Sequence, residues 1–194
     1  MLMRLLTFRR VLRRRRIMPL KGLCKPPAQL VVMIHKKEKN MSRCEEVELT
    51  NMCMISDGKG NVLVQNKVNN PNWSGWNFPG GHVEKGEYVT PSVIREMKEE
   101  TGLAIENPRL CGIKEFHKLK DGKRYIVFLY IADKFSGELK SSEEGEIFWF
   151  PLSELIKSDN LIDGFGDMLS VFTDENKSEV FYERTAEELK TVFM

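Results

Sequence analysis

Long apolar runs are what this 194-residue chain most plainly lacks. No stretch approaches the roughly 18–20 apolar residues of a membrane helix, so the body reads as soluble and cytoplasmic, with no membrane partner. Cysteine is sparse too. Cys24, Cys44, Cys53 and Cys111 form no C-x-x-C pair and no histidine stands at ligand spacing from them, which argues against a structural zinc site. They read as free, partly buried thiols in a reducing compartment. The three histidines, His35, His82 and His117, are isolated, and none carries an argument for general-base chemistry. Acid is nearly absent from residues 1–40, which hold twelve Lys/Arg against one carboxylate. Their net charge of +11 hides a body of −9, built from 18 basic and 27 acidic residues, beneath the formal total of +2. An acidic body argues against nucleic acid as a partner.

Residues 1–40 therefore stand apart. Three readings compete: an organelle transit peptide, a membrane-surface or nucleic-acid tether, and a segment foreign to the functional protein. The segment has no regular apolar face to offset roughly 1–2 kcal/mol of backbone entropy per ordered residue. The expectation is a basic, disordered or non-native extension, with translation from Met41 and one domain over 41–194.

What is present is concentrated between Gly81 and Leu103. Thr90 followed by Pro91 predicts a helix start, a capping hydroxyl and then a residue suited to the first helical position, and Gly102 predicts its end. Val93, Ile94 and Met97 make an apolar side, while Glu96, Glu99, Glu100 and Leu103 fall at i, i+3, i+4 and i+7. Like charges at i,i+4 cost a helix roughly 0.2–0.5 kcal/mol per pair, and Arg95 reaches only Glu99 at its own i+4 position. A hard divalent cation, with oxygen ligands shared between carboxylates and substrate phosphates, completes such a face. A solvated Glu-rich surface is the plainer alternative.

The wider pattern bears on that choice. Gly81, five residues, Glu87, seven residues, then Arg95-Glu96-Met97-Lys98-Glu99-Glu100-Thr101-Gly102-Leu103 fills every fixed position of the signature of the Nudix hydrolases, which this stretch closely resembles. The resemblance implies an α/β fold of the α/β/α sandwich type with a mixed sheet, a nucleotide substrate, and Mg²⁺ or Mn²⁺ as cofactor. It assigns metal ligation to the Gly80 carbonyl, Glu96, Glu99 and Glu100. It also gives catalytic weight to Glu99 and Glu96, with Glu87 and Arg95 in support and Arg95 orienting a box glutamate by a bidentate pair. Family members often take a further acidic ligand from a later loop, and Glu144 in Ser141–Glu146 is the choice here.

Beyond the box, NWSGWNFPGGHVE, SSEEGEIFWFPLSELI and Asp167-Met168-Leu169 resemble the MutT-type 8-oxo-dGTP diphosphatases over approximately residues 46–185. That implies hydrolysis of a nucleoside triphosphate to monophosphate and pyrophosphate. Trp73, Trp76, Asn77 and Asp167 are the base-pocket candidates, with packing favoured for one of the two tryptophans. Hydrolysis of ADP-ribose or a similar nucleoside-diphosphate compound is the alternative within enzymes. A nucleotide sensor would be favoured by lost box glutamates, and none is lost. A monomer and a homodimer are both compatible with the chain.

Read for elements alone, Val47 to Ser56 and Asn61 to Val68 are strands joined at Asp57-Gly58 into a hairpin. Asn69 to Trp76 is loop by composition. Leu110 to His117, Tyr125 to Asp133 and Ile147 to Pro151 are strands rich in Ile, Val, Phe and Tyr. Ser153 to Lys157 and Ile162 to Phe172 are helices, and Glu179 to Tyr182 is a last strand before a charged terminal segment. This order gives a mixed sheet with helices on its faces, independently of the resemblance.

Overall fold

A computed structural model describes residues 44–68, 74–118, 120–143, 145–184 and 188–194; the expectation for residues 1–40 lies outside them. The elements in chain order are β1 (Val47–Ile55), β2 (Asn61–Lys67), β3 (Gly75–Asn77), α1 (Val89–Thr101), β4 (Ala104–Ile105), β5 (Arg109–His117), β6 (Arg124–Ala132), β7 (Phe135–Ser136), β8 (Glu146–Pro151), α2 (Leu152–Leu155), α3 (Phe165–Thr173), β9 (Glu179–Arg184) and β10 (Leu189–Phe193). They form a five-stranded mixed sheet in the order β1-β6-β5-β9-β10, a three-stranded sheet β3-β2-β8 and the small pair β4-β7. The fold is α/β, of the α/β/α sandwich type.

Burial on both faces explains why β1 reads as a nearly continuous apolar run. Its alternate residues enter two separate cores. Met52 and Met54 join Val62, Val64, Val127 and the α3 residues Phe165, Met168 and Phe172, whereas Cys53 and Ile55 join Leu63 and the α1 residues Val93 and Met97. Phe78 is fully buried and meets Phe165 and Phe172 edge-on, with centroids 5.0 and 5.1 Å away. Burying such a ring contributes about 1.5–3 kcal/mol, and this one stands two residues before Gly80. The segment that opens the box is thus anchored in the core.

Several expectations are corrected. β1 and β2 are not a hairpin: after the Ser56–Val62 bridge they diverge, β1 pairing in parallel with β6 and β2 pairing antiparallel with β3 and β8. Each strand has better partners than the other. Gly75 and Trp76, read as loop, belong to β3, and the charged terminal segment forms β10, paired antiparallel to β9. Helix α1 begins at Val89, not after a Thr90 cap; its N-cap position is Tyr88, and the Thr90 hydroxyl bonds the Tyr130 hydroxyl at 2.8 Å. Ile94 is 38% exposed, so the apolar side of α1 is Val93 and Met97. Helix α3 starts at Phe165, after Gly164 in the left-handed region. Among the described residues no helix is long and apolar enough to cross a membrane.

Candidate active site

The site begins with the pairing of the box to β1. The Asn51 N–H donates to the Gly81 carbonyl at 2.8 Å, Cys53 N–H to the Pro79 carbonyl at 3.0 Å, and Val83 N–H to the Leu49 carbonyl at 2.9 Å. Residues 79–83 are therefore held along the edge strand β1. Helix α1 lies against the same strand, where the buried Asn51 side-chain amide donates to the Ser92 hydroxyl at 3.0 Å. Close approach is possible because Gly81 has no side chain: a Cβ there would stand 2.5 Å from the Glu96 carboxyl carbon. Gly102 closes the helix in the left-handed region at φ 76°, its N–H bonded to the Lys98 carbonyl.

Arg95 organises the carboxylates. Its Nε and Nη2 donate to the two oxygens of Glu87 at 3.0 and 2.9 Å, so the expected bidentate pair is made with Glu87. Nη1 donates to Glu96 Oε1 and to Glu99 Oε2, each at 2.9 Å, and Nη2 to the His82 carbonyl at 3.0 Å. The hydrogen bonds from Arg95 hold the Glu87 carboxyl below the usual carboxylate range. The same contacts, Glu87 foremost, raise the Arg95 pKa, so the guanidinium stays charged.

The glutamates of α1 do not share one environment. Glu100 is buried at 4% exposure and accepts the Gly80 N–H at 3.0 Å, with Gln65 Nε2 at 3.4 Å. Glu96 is 12% exposed and Glu99 58% exposed, both turned to Arg95. Because both bonded oxygens lie 2.9 Å from Arg95 Nη1, they are at most twice that distance, 5.8 Å, apart. Leu103, on the same helical stripe, is buried in the α1 core. The donor set, carboxylate oxygens beside a glycine pair, suits Mg²⁺ or Mn²⁺ and not a soft metal. As the side chains stand, however, no three His, Cys, Asp or Glu among the described residues converge enough to hold an ion. The Arg95 guanidinium takes one oxygen each of Glu96 and Glu99.

The other expected residues are dispersed. Glu144 and Trp73 lie outside the described residues. Trp76 packs edge-on against Phe148 and Phe150, at 5.3 and 4.9 Å between centroids, as a core residue would. Asn77 is buried beside Gln65 across the β2-β3 pair, and the Oδ1 of Asn77 and the Oε1 of Gln65 have no hydrogen-bond partner among the described residues. Asp167 lines a different place, a cavity of about 500 Å³ bounded also by Lys114, Phe116, Asp163, Tyr182 and Thr191. There its Oδ2 accepts the Tyr182 hydroxyl at 3.0 Å. Lys114 and Gln65 were not anticipated. A signal existed for Lys114, which stands in phase with the buried positions of a β-strand.

The fold thus gathers an arginine-clamped set of glutamates on one helix against a glycine pair at a sheet edge. Residues 49–171, more than half of the chain, match the NUDIX domain, and the chain belongs to that family. It is 38% identical over 112 residues to the Nudix hydrolase YvcI of Bacillus subtilis, covering 55% of this chain and 67% of that protein. It is 35% identical over 104 residues to the ADP-ribose pyrophosphatase of Methanocaldococcus jannaschii, covering 53% of this chain and 62% of the relative. The crystal structure of a MutT protein from Bacillus halodurans superposes with a TM-score of 0.60 at 27% identity, covering 75% of this chain and 97% of that one. The aligned region thus spans about two thirds of the length of the two relatives.

Proposed function

We propose that this protein hydrolyses a nucleoside triphosphate to the monophosphate and pyrophosphate, with an oxidised purine nucleotide, 8-oxo-dGTP, as the substrate of choice. The observation that carries the reading is the clamped box: Glu87, Glu96 and Glu99 on one guanidinium, and Glu100 on the Gly80 N–H. A bound Mg²⁺ or Mn²⁺ would neutralise phosphate charge and lower the pKa of a bound water. Glu96, Glu99 and Glu100, with the Gly80 carbonyl, are the residues that would hold it. Glu87 keeps the arginine in register, and Glu100 is preset by a backbone donor. The MutT likeness supports a triphosphate substrate, and the cavity beside Asp167 supplies room for a base.

ADP-ribose is the second reading, favoured by the 35% identity to an ADP-ribose pyrophosphatase. One assay separates the two. The protein is incubated with Mg²⁺ and, in turn, oxidised and normal nucleoside triphosphates and ADP-ribose, and products are identified. Pyrophosphate from 8-oxo-dGTP, at a kcat/KM above that for ADP-ribose, is the expected result. Preferred release of AMP and ribose phosphate from ADP-ribose would replace the first reading with the second.

A further inference from the structure

Gln65 is an unusual residue for the middle of a core strand. It is fully buried on β2, the central strand of its sheet, between Asn77 of β3 and the buried Ile147 of β8. Leu63, two residues earlier on the same face of the strand, packs into the α1 core. An apolar side chain at position 65 would extend that core. The glutamine instead directs its Nε2 to Glu100 Oε2 at 3.4 Å, across 35 positions of sequence. The Gly80 N–H donates to the same oxygen at 3.0 Å, so the buried Glu100 carboxylate receives one backbone donor from the box and one side-chain donor from β2.

The other end of the amide shows that this arrangement opposes stability. An amide that faces a carboxylate must present its amino end, because its oxygen would meet a second acceptor. That settles which way Gln65 lies and leaves its Oε1 in the interior with no hydrogen-bond partner among the described residues. Asn77 Oδ1, on the residue directly across the strand pair, is in the same condition, so neither amide relieves the other. An unpaired buried acceptor is destabilising, and a leucine or methionine on β2 would avoid it. What an apolar residue could not supply is the contact with Glu100.

We propose that Gln65 is a positioning residue, whose amide fixes the Glu100 carboxylate against Gly80 so that this ligand is aimed before a divalent cation arrives. The inference rests on the reading of Glu100 as a cation ligand and is independent of which nucleotide the site takes. A glutamate side chain that is free to turn loses rotamer freedom when it takes an ion, and ordering it in the fold removes that loss from the binding step. The two donors come from different sheets: Gly80 lies in the segment held along β1, and Gln65 on the strand between β3 and β8. Glu100 is thereby fixed from two directions. Removing a hydrogen-bond partner that stands behind a metal ligand typically lowers metal affinity about 10–100-fold.

The test reads cation binding on the full-length chain, without nucleotide. Mn²⁺ binding is followed by the paramagnetic resonance of the free ion for wild type, Gln65→Met, Glu100→Gln and the double variant, beside thermal melts. Gln65→Met is expected to weaken Mn²⁺ binding about tenfold or more, while its melting temperature stays within about 4 °C of wild type. In the Glu100→Gln background the same substitution should leave the remaining affinity unchanged, because the carboxylate it positions is gone; lost packing alone would weaken both backgrounds alike. Unchanged affinity in Gln65→Met, or an equal loss in both backgrounds, would overturn the proposal. Wild-type affinity in Glu100→Gln would remove Glu100 as a ligand, and the proposal with it. A readout on the wild type stands even if the variants fail to fold: the ¹⁵N resonance of the Gln65 side-chain amide should shift together with that of the Gly80 N–H as Mg²⁺ is added. A Gln65 amide that stays still while Gly80 responds also overturns the proposal. Mn²⁺ binding that depends on Gln65 and Glu100, in a protein that hydrolyses no triphosphate, would sink the substrate reading and leave this one standing.

Discussion

Arg95 makes five hydrogen bonds, to three carboxylates and one carbonyl, with a planar fork that no lysine reproduces. Glu99, which it holds, and Glu100, which the Gly80 N–H holds, are the residues whose replacement tests the chemistry. Glu99→Gln and Glu100→Gln are each expected to lower turnover at least about a hundredfold, because each removes a charged oxygen from a site whose rate depends on several kcal/mol of charge stabilisation. At Glu99 the fold should hardly notice. That side chain is 58% exposed and its pair with Arg95 is a surface one, so its melting temperature should move by no more than about 2–4 °C. Steady-state kinetics at saturating Mg²⁺, beside thermal melts, decide the matter: near-normal turnover in both variants would remove these glutamates from the mechanism.

At the scale of the element, the two glycines around α1 should behave differently. A Cβ at Gly81 would meet the far end of the Glu96 side chain, which can swing away, so Gly81→Ala should fold and melt nearly as wild type while losing activity. A Cβ at Gly102 would stand 2.5 Å from the Glu138 carbonyl at a φ of 76°, and neither can yield cheaply. Gly102→Ala is therefore expected to cost more than about 1 kcal/mol of stability, with kcat retained in the protein that remains folded. Urea titrations paired with kcat measurements separate the cases, and a large stability loss in Gly81→Ala would mean that the box strand is more rigid than this account allows. The helix start carries its own lesson. Thr90 and Pro91 point to a cap by local chemistry, but Tyr130 claims the Thr90 hydroxyl, so a tertiary contact outweighs a local one.

At the scale of the molecule, the buried cation on β5 makes stability depend on pH. Keeping Lys114 charged at neutral pH, with its pKa moved from 10.5 to about 8, costs the fold about 3 kcal/mol at about 1.4 kcal/mol per pH unit. The folded state gives up this proton near pH 8 and the unfolded chain near 10.5, so between those values the unfolded state binds more protons and this residue's contribution to stability rises with pH. Lys114→Met should accordingly be more stable than wild type at pH 7, with a margin that shrinks toward pH 10. Urea unfolding of both proteins at the two pH values checks it, and a margin independent of pH would show that the lysine is not held as a buried charge. Residues 1–40 give a second expectation at this scale, from sequence alone: a chain beginning at Met41 keeps the melting temperature and kcat/KM of the full chain, and a fall in either would assign the segment a part in the fold or the site.

The order of residues was sufficient for the box, its helix and the positions of most strands. These depend on short-range facts: spacing along one helix, runs of Ile, Val and Phe, and glycine where a side chain would collide. The carboxylates needed no fold to be noticed, because Glu96, Glu99 and Glu100 are neighbours in the chain. Only the tertiary structure decided their separate fates, one buried on a backbone N–H and two drawn to Arg95, since solvent access and long-range partners set those terms. It also decided that β1 and β2 part company, because parallel pairing with β6 joins residues more than seventy positions apart and leaves no local trace. The cavity is the clearest case. Lys114, Asp163 and Tyr182 are unremarked in their own segments, and they come to line one cavity with Asp167 only when β5, β9 and the approach to α3 are packed together, where low polarity turns an ordinary lysine into a buried cation.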